Sequence, residues 1–175
     1  MKHLNKLLAL GLALLLACSL FAGCTKEDDS EGETDTRNWA EAGGSISWPE
    51  GFDTSERLTT TEKDGTLYAS FNGVQSRTSG YFRPAGDTIT VTGQATTESE
   101  KRKTWRVTLW KETTGAREYV DGGTLYLTAD GSCYTGTFSG LDAGSRYKIG
   151  IAYDGGSYYL SGGVTVSGLQ TEAAA

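Results

Sequence analysis

The sequence predicts an all-β fold built as a single antiparallel β-sandwich, and three observations predict it. Apolar residues alternate with Thr and other polar residues in one segment after another, the period-two pattern of a strand with one buried face. Between those segments stand Asp-Gly, Asn-Gly and Gly-Gly pairs, which supply the positive φ of tight turns. The composition, with 24 glycines, two prolines and an abundance of Thr, Tyr and Val, suits short strands better than helices.

Taken in chain order, Leu67, Ala69 and Phe71 form the first clear alternation. Ile89, Val91, Gly93 and Ala95 follow, alternating with Thr88, Thr90, Thr92 and Gln94. Trp105, Val107 and Leu109 then alternate with Thr104, Arg106 and Thr108. Four more segments repeat the pattern: Leu125 and Leu127; Tyr134, Gly136 and Phe138; Tyr147, Ile149, Ile151 and Tyr153; and Val164 and Val166. At least seven strands are expected, with additional ones between Ile46 and Phe82. Turns are expected at Asp64-Gly65, Asn72-Gly73, Asp121-Gly122-Gly123, Asp130-Gly131 and Asp154-Gly155-Gly156. Aspartate and glycine also build calcium loops, but none of these stretches has the alternating acidic spacing of an EF-hand or a nine-residue repeat, so no metal site is expected.

The front of the chain reads as an address. Lys2 and Lys6 make a basic start, Leu7 to Ala17 is an almost unbroken Leu/Ala run, and the small residues Ala22 and Gly23 precede Cys24, the layout of a secretory signal. A transmembrane helix needs ~20 apolar residues, whereas this run is interrupted at Cys18-Ser19 and gives way to a charged tract at Lys26. Phe21-Ala22-Gly23-Cys24 resembles the lipobox of bacterial lipoproteins, and Leu15-Leu16-Ala17-Cys18 is a poorer second candidate. The resemblance implies that residues 1–23 are a cleaved signal peptide and that Cys24 carries a diacylglyceryl group. It also implies a protein held in the bacterial cell envelope, outside the cytoplasmic membrane, with the membrane as its partner through that anchor. Two acyl chains hold stably where one holds marginally. Lys26-Glu27-Asp28-Asp29 also resembles the charged tag with which some bacteria export lipoproteins to the outer face.

Residues 24–43 are mostly charged or small, with Trp39 the single aromatic, and are expected to be a flexible acidic linker. The sandwich is expected over 44–170, with a disordered tail at 171–175. About 125 residues suffice for one domain with one core.

Charge and rare residues narrow the chemistry. Without Lys2 and Lys6, 14 basic side chains face 22 acidic ones, a charge of −8, which disfavours nucleic acid as a partner. The short run Lys101-Arg102-Lys103 reads as a solvated loop before a strand. The one histidine, His3, leaves with the signal, so no catalytic triad or imidazole-ligated metal is expected. Cys18 leaves too and Cys24 is acylated, which strands Cys133 without a disulfide partner. With no imidazole to lower its pKa, Cys133 reads as a small packed side chain. No cofactor motif is present, and no enzyme is expected; a carboxylate-pair hydrolase is a distant option.

One stretch carries a resemblance of its own. Leu141-Asp142-Ala143-Gly144-Ser145-Arg146-Tyr147, followed by Ile149 and Ile151, resembles the corner between strands E and F of fibronectin type III and related immunoglobulin-like sandwiches. The resemblance implies an immunoglobulin-like connectivity, a Tyr147 hydroxyl reaching back to the backbone, Leu141 in the core and Gly144 permitting the turn. That fold hosts adhesion, scaffolding and ligand binding alike.

Aromatic side chains are the remaining lead. Trp110 follows the core residue Leu109 and so points off the core face, as do Tyr68 and Tyr126 beside their leucines. Tyr158 and Tyr159 are adjacent, so at least one faces outward, and Tyr119 is expected in a loop before Asp121. Exposed rings on a rigid sheet can stack on sugars or anchor a protein; they are also ordinary strand formers. Trp110, Tyr119, Tyr158 and Tyr159 are therefore the candidate ligand-binding residues. The expected function is a non-enzymatic, lipid-anchored surface protein with a binding, adhesion or structural role, or alternatively a carbohydrate-binding component that captures surface polysaccharide.

Overall fold

The computed structural model describes residues 35–171. The expected signal segment 1–23, Cys24, the expected linker as far as residue 34 and residues 172–175 lie outside the described residues. The described chain is an all-β antiparallel sandwich, the class its alternation and composition imply. Its strands are β1 (Glu41–Ala42), β2 (Leu58–Lys63), β3 (Thr66–Val74), β4 (Ser76–Thr78), β5 (Thr88–Thr97), β6 (Thr104–Thr113), β7 (Ala116–Thr128), β8 (Asp130–Ser139), β9 (Tyr147–Tyr153) and β10 (Leu160–Ser167). One sheet has six strands in the order β1-β8-β5-β10-β3-β2, and the other has four in the order β4-β9-β6-β7.

The connectivity corrects the immunoglobulin-like expectation. Pairs nest one inside another: β6 with β7, β5 with β8, β4 with β9 and β3 with β10. Successive pairs fall in alternate sheets, as if one long hairpin had been folded over itself, which is the arrangement of a jelly roll. An immunoglobulin domain instead keeps strands A, B, E and D together opposite C, F and G. The corner motif reports on a single strand entry, whereas topology depends on pairings between segments far apart in sequence.

The corner itself is built from those residues. The Asp142 backbone N–H donates to the Tyr147 hydroxyl at 3.0 Å, and Leu141 and Tyr147 are both buried. The Gly144 N–H donates to Asp142 Oδ1 at 2.9 Å, the Ser145 hydroxyl donates to Oδ2 at 2.7 Å, and Lys111 Nζ lies 3.8 Å away. The Ser145 hydroxyl foremost, then the Gly144 N–H and the Lys111 ammonium, hold the Asp142 carboxyl below its ordinary range.

Between the sheets, β5 contributes Ile89, Val91 and Ala95, β6 contributes Trp105, Val107 and Leu109, β9 contributes Ile149 and Ile151, and β10 contributes Val164 and Val166, all buried. Trp105 sits edge-on to Phe71 with ring centroids 5.8 Å apart. Gly93 makes room for it, since a Cβ there would stand 2.8 Å from the indole. The Trp105 indole N–H is the one buried side-chain polar atom without a hydrogen-bond partner among the described residues. Leaving such a donor unpaired costs about 1–3 kcal/mol, set against the burial of the largest side chain in the core.

The glycine pairs divide into two kinds. Asp64-Gly65 is a hairpin turn between β2 and β3, with φ of 51° and 70°, the paired positive values of a type I′ turn. Asn72-Gly73 and Asp121-Gly122-Gly123 lie inside β3 and β7, and the expectation of turns there is corrected: both are bulges. Across from β3, Gly162 faces Phe71 but Leu160 faces Val74, so Asn72 and Gly73 together oppose one residue. Across from β7, Thr108 faces Thr124 but Trp110 faces Tyr119. Asp130-Gly131 opens β8, where the register against β5 also shifts. Asp154-Gly155-Gly156 lies in the β9–β10 connection, and the β6–β7 hairpin turns at Gly115, with φ of 77°.

The sandwich also begins earlier than the expected boundary at Gly44. Glu41 and Ala42 pair with Thr135 and Tyr134, and Trp39 bridges to Tyr126. The Ala40 N–H donates to the Tyr126 carbonyl at 2.9 Å, and the Tyr126 N–H donates to the Asn38 carbonyl at 2.9 Å. A polar average conceals one aromatic ring whose packing on the sheet edge ties its neighbours' backbone down.

Candidate functional site

The four-stranded sheet turns Val107, Leu109, Ile149 and Ile151 into the core, so the alternate residues of each strand stand on its outer face. Register sorts these into rows. Thr78, Gly150, Thr108 and Thr124 cross the middle of the sheet. To one side run Ser76, Ala152, Arg106 and Tyr126, and to the other run Lys148, Trp110 and Tyr119. The middle is thus floored by small side chains, with rings at both ends. Trp110 and Arg106 are four residues apart on one strand, a separation of roughly 13 Å.

Each aromatic group is held by its neighbours. Trp110 and Tyr119 meet edge to face, centroids 5.7 Å apart and planes at 73°. Trp110 Nε1 donates to Thr108 Oγ1 at 3.0 Å, and the Tyr119 hydroxyl is 3.1 Å from Thr124 Oγ1. Gly150 leaves space for this arrangement, because a Cβ there would stand 2.7 Å from Thr108 Oγ1 and 3.2 Å from Trp110 Nε1. At the other end Trp39 and Tyr126 are 5.7 Å apart, tilted at 47°.

Cations accompany the rings. The Arg117 guanidinium lies 5.0 Å from the Trp110 ring, and that of Arg37 lies 4.7 Å from Trp39 and 5.3 Å from Tyr126. Lys148 and Arg146 approach Tyr81 at 4.8 and 5.0 Å. Arg106 pairs with Asp154, and Arg146 pairs with Glu112 at 3.1 Å. A chain of net charge −6 therefore presents one face that is aromatic and cationic. Such contacts contribute ~0.5–1 kcal/mol each where exposed and hold the rings in place.

Of the four aromatic candidates, the structure brings Trp110 and Tyr119 together. Tyr119 lies in strand β7 directly opposite Trp110 and not in a loop, because the loop expected at Asp121 is the bulge. Tyr158 and Tyr159 lie elsewhere, in the β9–β10 connection, with 45% and 54% of their surface exposed. Lys101-Arg102-Lys103 is an exposed loop leading into β6. Cys133 is a half-buried free thiol on β8, facing Gln94 of β5. Sequence reasoning missed Arg37 and Trp39, which it assigned to the linker. The signal was there, in a tryptophan two residues from an arginine within an otherwise solvated stretch.

No protein-family model matches the chain, and no curated protein is similar to it. Among solved structures it is similar to the Clostridium thermocellum N-terminal endo-1,4-β-D-xylanase 10B CBM22-1–GH10 modules complexed with xylohexaose. That alignment has 11% identity and a TM-score of 0.39, and covers 67% of this chain and 25% of the other, so the chain spans a quarter of that protein's length. It is also similar to a solved CBM4 structure, with 15% identity and a TM-score of 0.27 over 65% of this chain and 76% of the other.

Proposed function

We propose that the chain is a non-enzymatic, lipid-anchored binding protein of the bacterial cell surface. Its ligand is a polysaccharide lying across the outer face of the four-stranded sheet. The observation that carries this reading is the pairing of Trp110 with Tyr119 and of Trp39 with Tyr126 at the two ends of a floor of Thr, Gly, Ala and Ser. Ring faces take the C–H side of a pyranose, while the hydroxyls of Ser76, Thr78, Thr108 and Thr124 can exchange hydrogen bonds with sugar hydroxyls. Arg106 on this face is already paired with Asp154, and the guanidinium of Arg117 beside Trp110 favours a polymer that also carries acidic groups. Retention of the full-length protein in gels containing a soluble polysaccharide tests this, and so does the dependence of that retention on salt.

The same residue types, Trp, Tyr and Arg, dominate protein–protein hot spots, so adhesion to a surface protein is the second reading of this face. Loss of polysaccharide retention with preserved capture of one cell-surface protein would favour it. The anchor rests on Cys24. Metabolic labelling with a fatty acid is expected to mark the wild-type chain and not Cys24→Ser, and equal labelling of both would remove the lipid anchor from the proposal.

A further inference from the structure

A second hollow lies over the outer face of the other sheet. Residues 45–57 cross β3 and β10 without forming a strand and are tied down by the Ser70 hydroxyl, which donates to the Asp53 carbonyl at 3.3 Å. Within this segment Trp48 stacks flat on Phe52, centroids 5.0 Å apart and planes at 2°. The indole also covers Gly163 of β10 so closely that any Cβ at Gly163 would overlap it. Beside the covered glycine the sheet surface is open. Gln94 and Thr96 stand on β5, Ser161 on β10 and Asn72 on β3 around a depression of about 440 Å³. That volume lies within the range of small-molecule sites.

The lining decides the chemistry. It contains no acidic or basic side chain, in contrast to the cationic face across the sandwich, and combines one indole, two carboxamides and several hydroxyls with a floor of glycines, Ala95 and the buried Phe71. The polar groups are held in place. The Ser161 hydroxyl donates to Asn72 Oδ1 at 2.9 Å and accepts from the Gly73 N–H at 3.1 Å. Gln94 Nε2 donates to the Gly131 carbonyl at 2.6 Å. The Asn72-Gly73 bulge is what aims this amide at Ser161. A charged ligand would find no counter-charge here, and a wholly apolar one would strip water from both amides without replacing it. A ring with an apolar C–H face and a hydroxyl rim matches both the indole and the amides. A second depression adjoins the hollow at Thr96 and Ser161 and is walled by Tyr158 and Tyr159, which gives these two exposed tyrosines a place along the same ligand.

We infer that this hollow is a second binding site, specific for an uncharged sugar unit, formed by Trp48, Asn72, Gln94, Thr96 and Ser161. It does not depend on the aromatic face of the four-stranded sheet. The test is a titration of the full-length protein with neutral oligosaccharides (cello-, manno-, laminari- and xylo-tetraose) followed through side-chain amide resonances, which are assigned by their absence in Asn72→Ala and Gln94→Ala. Saturable shifts of both amides with at least one probe are expected. Affinity for that probe should fall at least about tenfold, or 1.4 kcal/mol, in Gln94→Ala and in Trp48→Ala. Because Trp48→Ala also unstacks Phe52, Gln94→Ala, at an exposed position, decides if the former unfolds. Absence of amide shifts with every probe overturns the site, as does unchanged affinity in Gln94→Ala. Shifts confined to the Trp110 indole would overturn this site and leave the polysaccharide face standing.

Discussion

At the scale of single residues, the corner at Tyr147 makes two measurable statements. The buried hydroxyl accepts the Asp142 backbone N–H, and Tyr147→Phe leaves that donor without its partner. Stability is expected to fall by ~1 kcal/mol or more, read as a lower denaturation midpoint at unchanged slope. Asp142 itself is exposed, and its carboxyl is held below the ordinary value of 3.8, chiefly by the Ser145 hydroxyl. A carboxyl depressed in the folded state contributes stability above its unfolded pKa, and that contribution is lost as pH falls through the folded value. Acidification from about pH 4 downward should therefore weaken the wild type, and Asp142→Asn should show a shallower loss over the same window, measured by denaturation at stepped pH. The spacing of Leu141 and Tyr147 made this local geometry legible because the corner is built from neighbours in sequence, whereas Gly144 gives its N–H to Asp142 Oδ1 without a positive φ that would demand glycine. Trp39 was not legible for the opposite reason: its partner, Tyr126, is far along the chain.

At the scale of elements, alternation located the strands and the glycine pairs misplaced several of their ends. Period two reports which face is buried, and it did so for β3, β5, β6 and β9 because each lays one face on a continuous core. Positive φ is needed equally by a turn and by a bulge, so Asn72-Gly73 and Asp121-Gly122-Gly123 read as strand ends although the pairing runs through them. Gly65 and Gly73 differ in what surrounds them. Gly65 has φ of 70°, and a Cβ there would stand 2.8 Å from the Leu169 carbonyl, whereas Gly73 has φ of 61° with open space around it. Gly65→Ala is expected to destabilise by more than the ~1–2 kcal/mol of backbone strain alone, and Gly73→Ala by about that strain. Equal losses in thermal or chemical denaturation would remove the distinction. The two bulges also matter beyond the sheet. One directs Asn72 toward Ser161, and the other brings Tyr119 opposite Trp110.

At the scale of the whole molecule, the sandwich class was legible and its connectivity was not. The long strands β3, β5, β6, β9 and β10 each bury one face, so nothing in the alternation says that β3 should pair with β10 or β6 with β9. The nesting nonetheless sets β4 and β9 beside the β6–β7 hairpin and so gathers their outward residues on one surface, the one to which the proposed function is assigned. Trp110, Tyr119 and Tyr126 come from the β6–β7 hairpin, whereas Ser76 and Thr78 of β4 and Gly150 and Ala152 of β9 reach the same face from distant parts of the chain. The most direct measurement is the retention of the full-length protein in native gels containing acidic or neutral polysaccharides, compared with Trp110→Ala and the more exposed Tyr119→Ala. The wild type is expected to be retarded by at least one polymer, with retardation largely lost in both variants while their thermal midpoints show that they remain folded. Equal retardation of wild type and both variants, or none for the wild type with any polymer, would contradict the polysaccharide face.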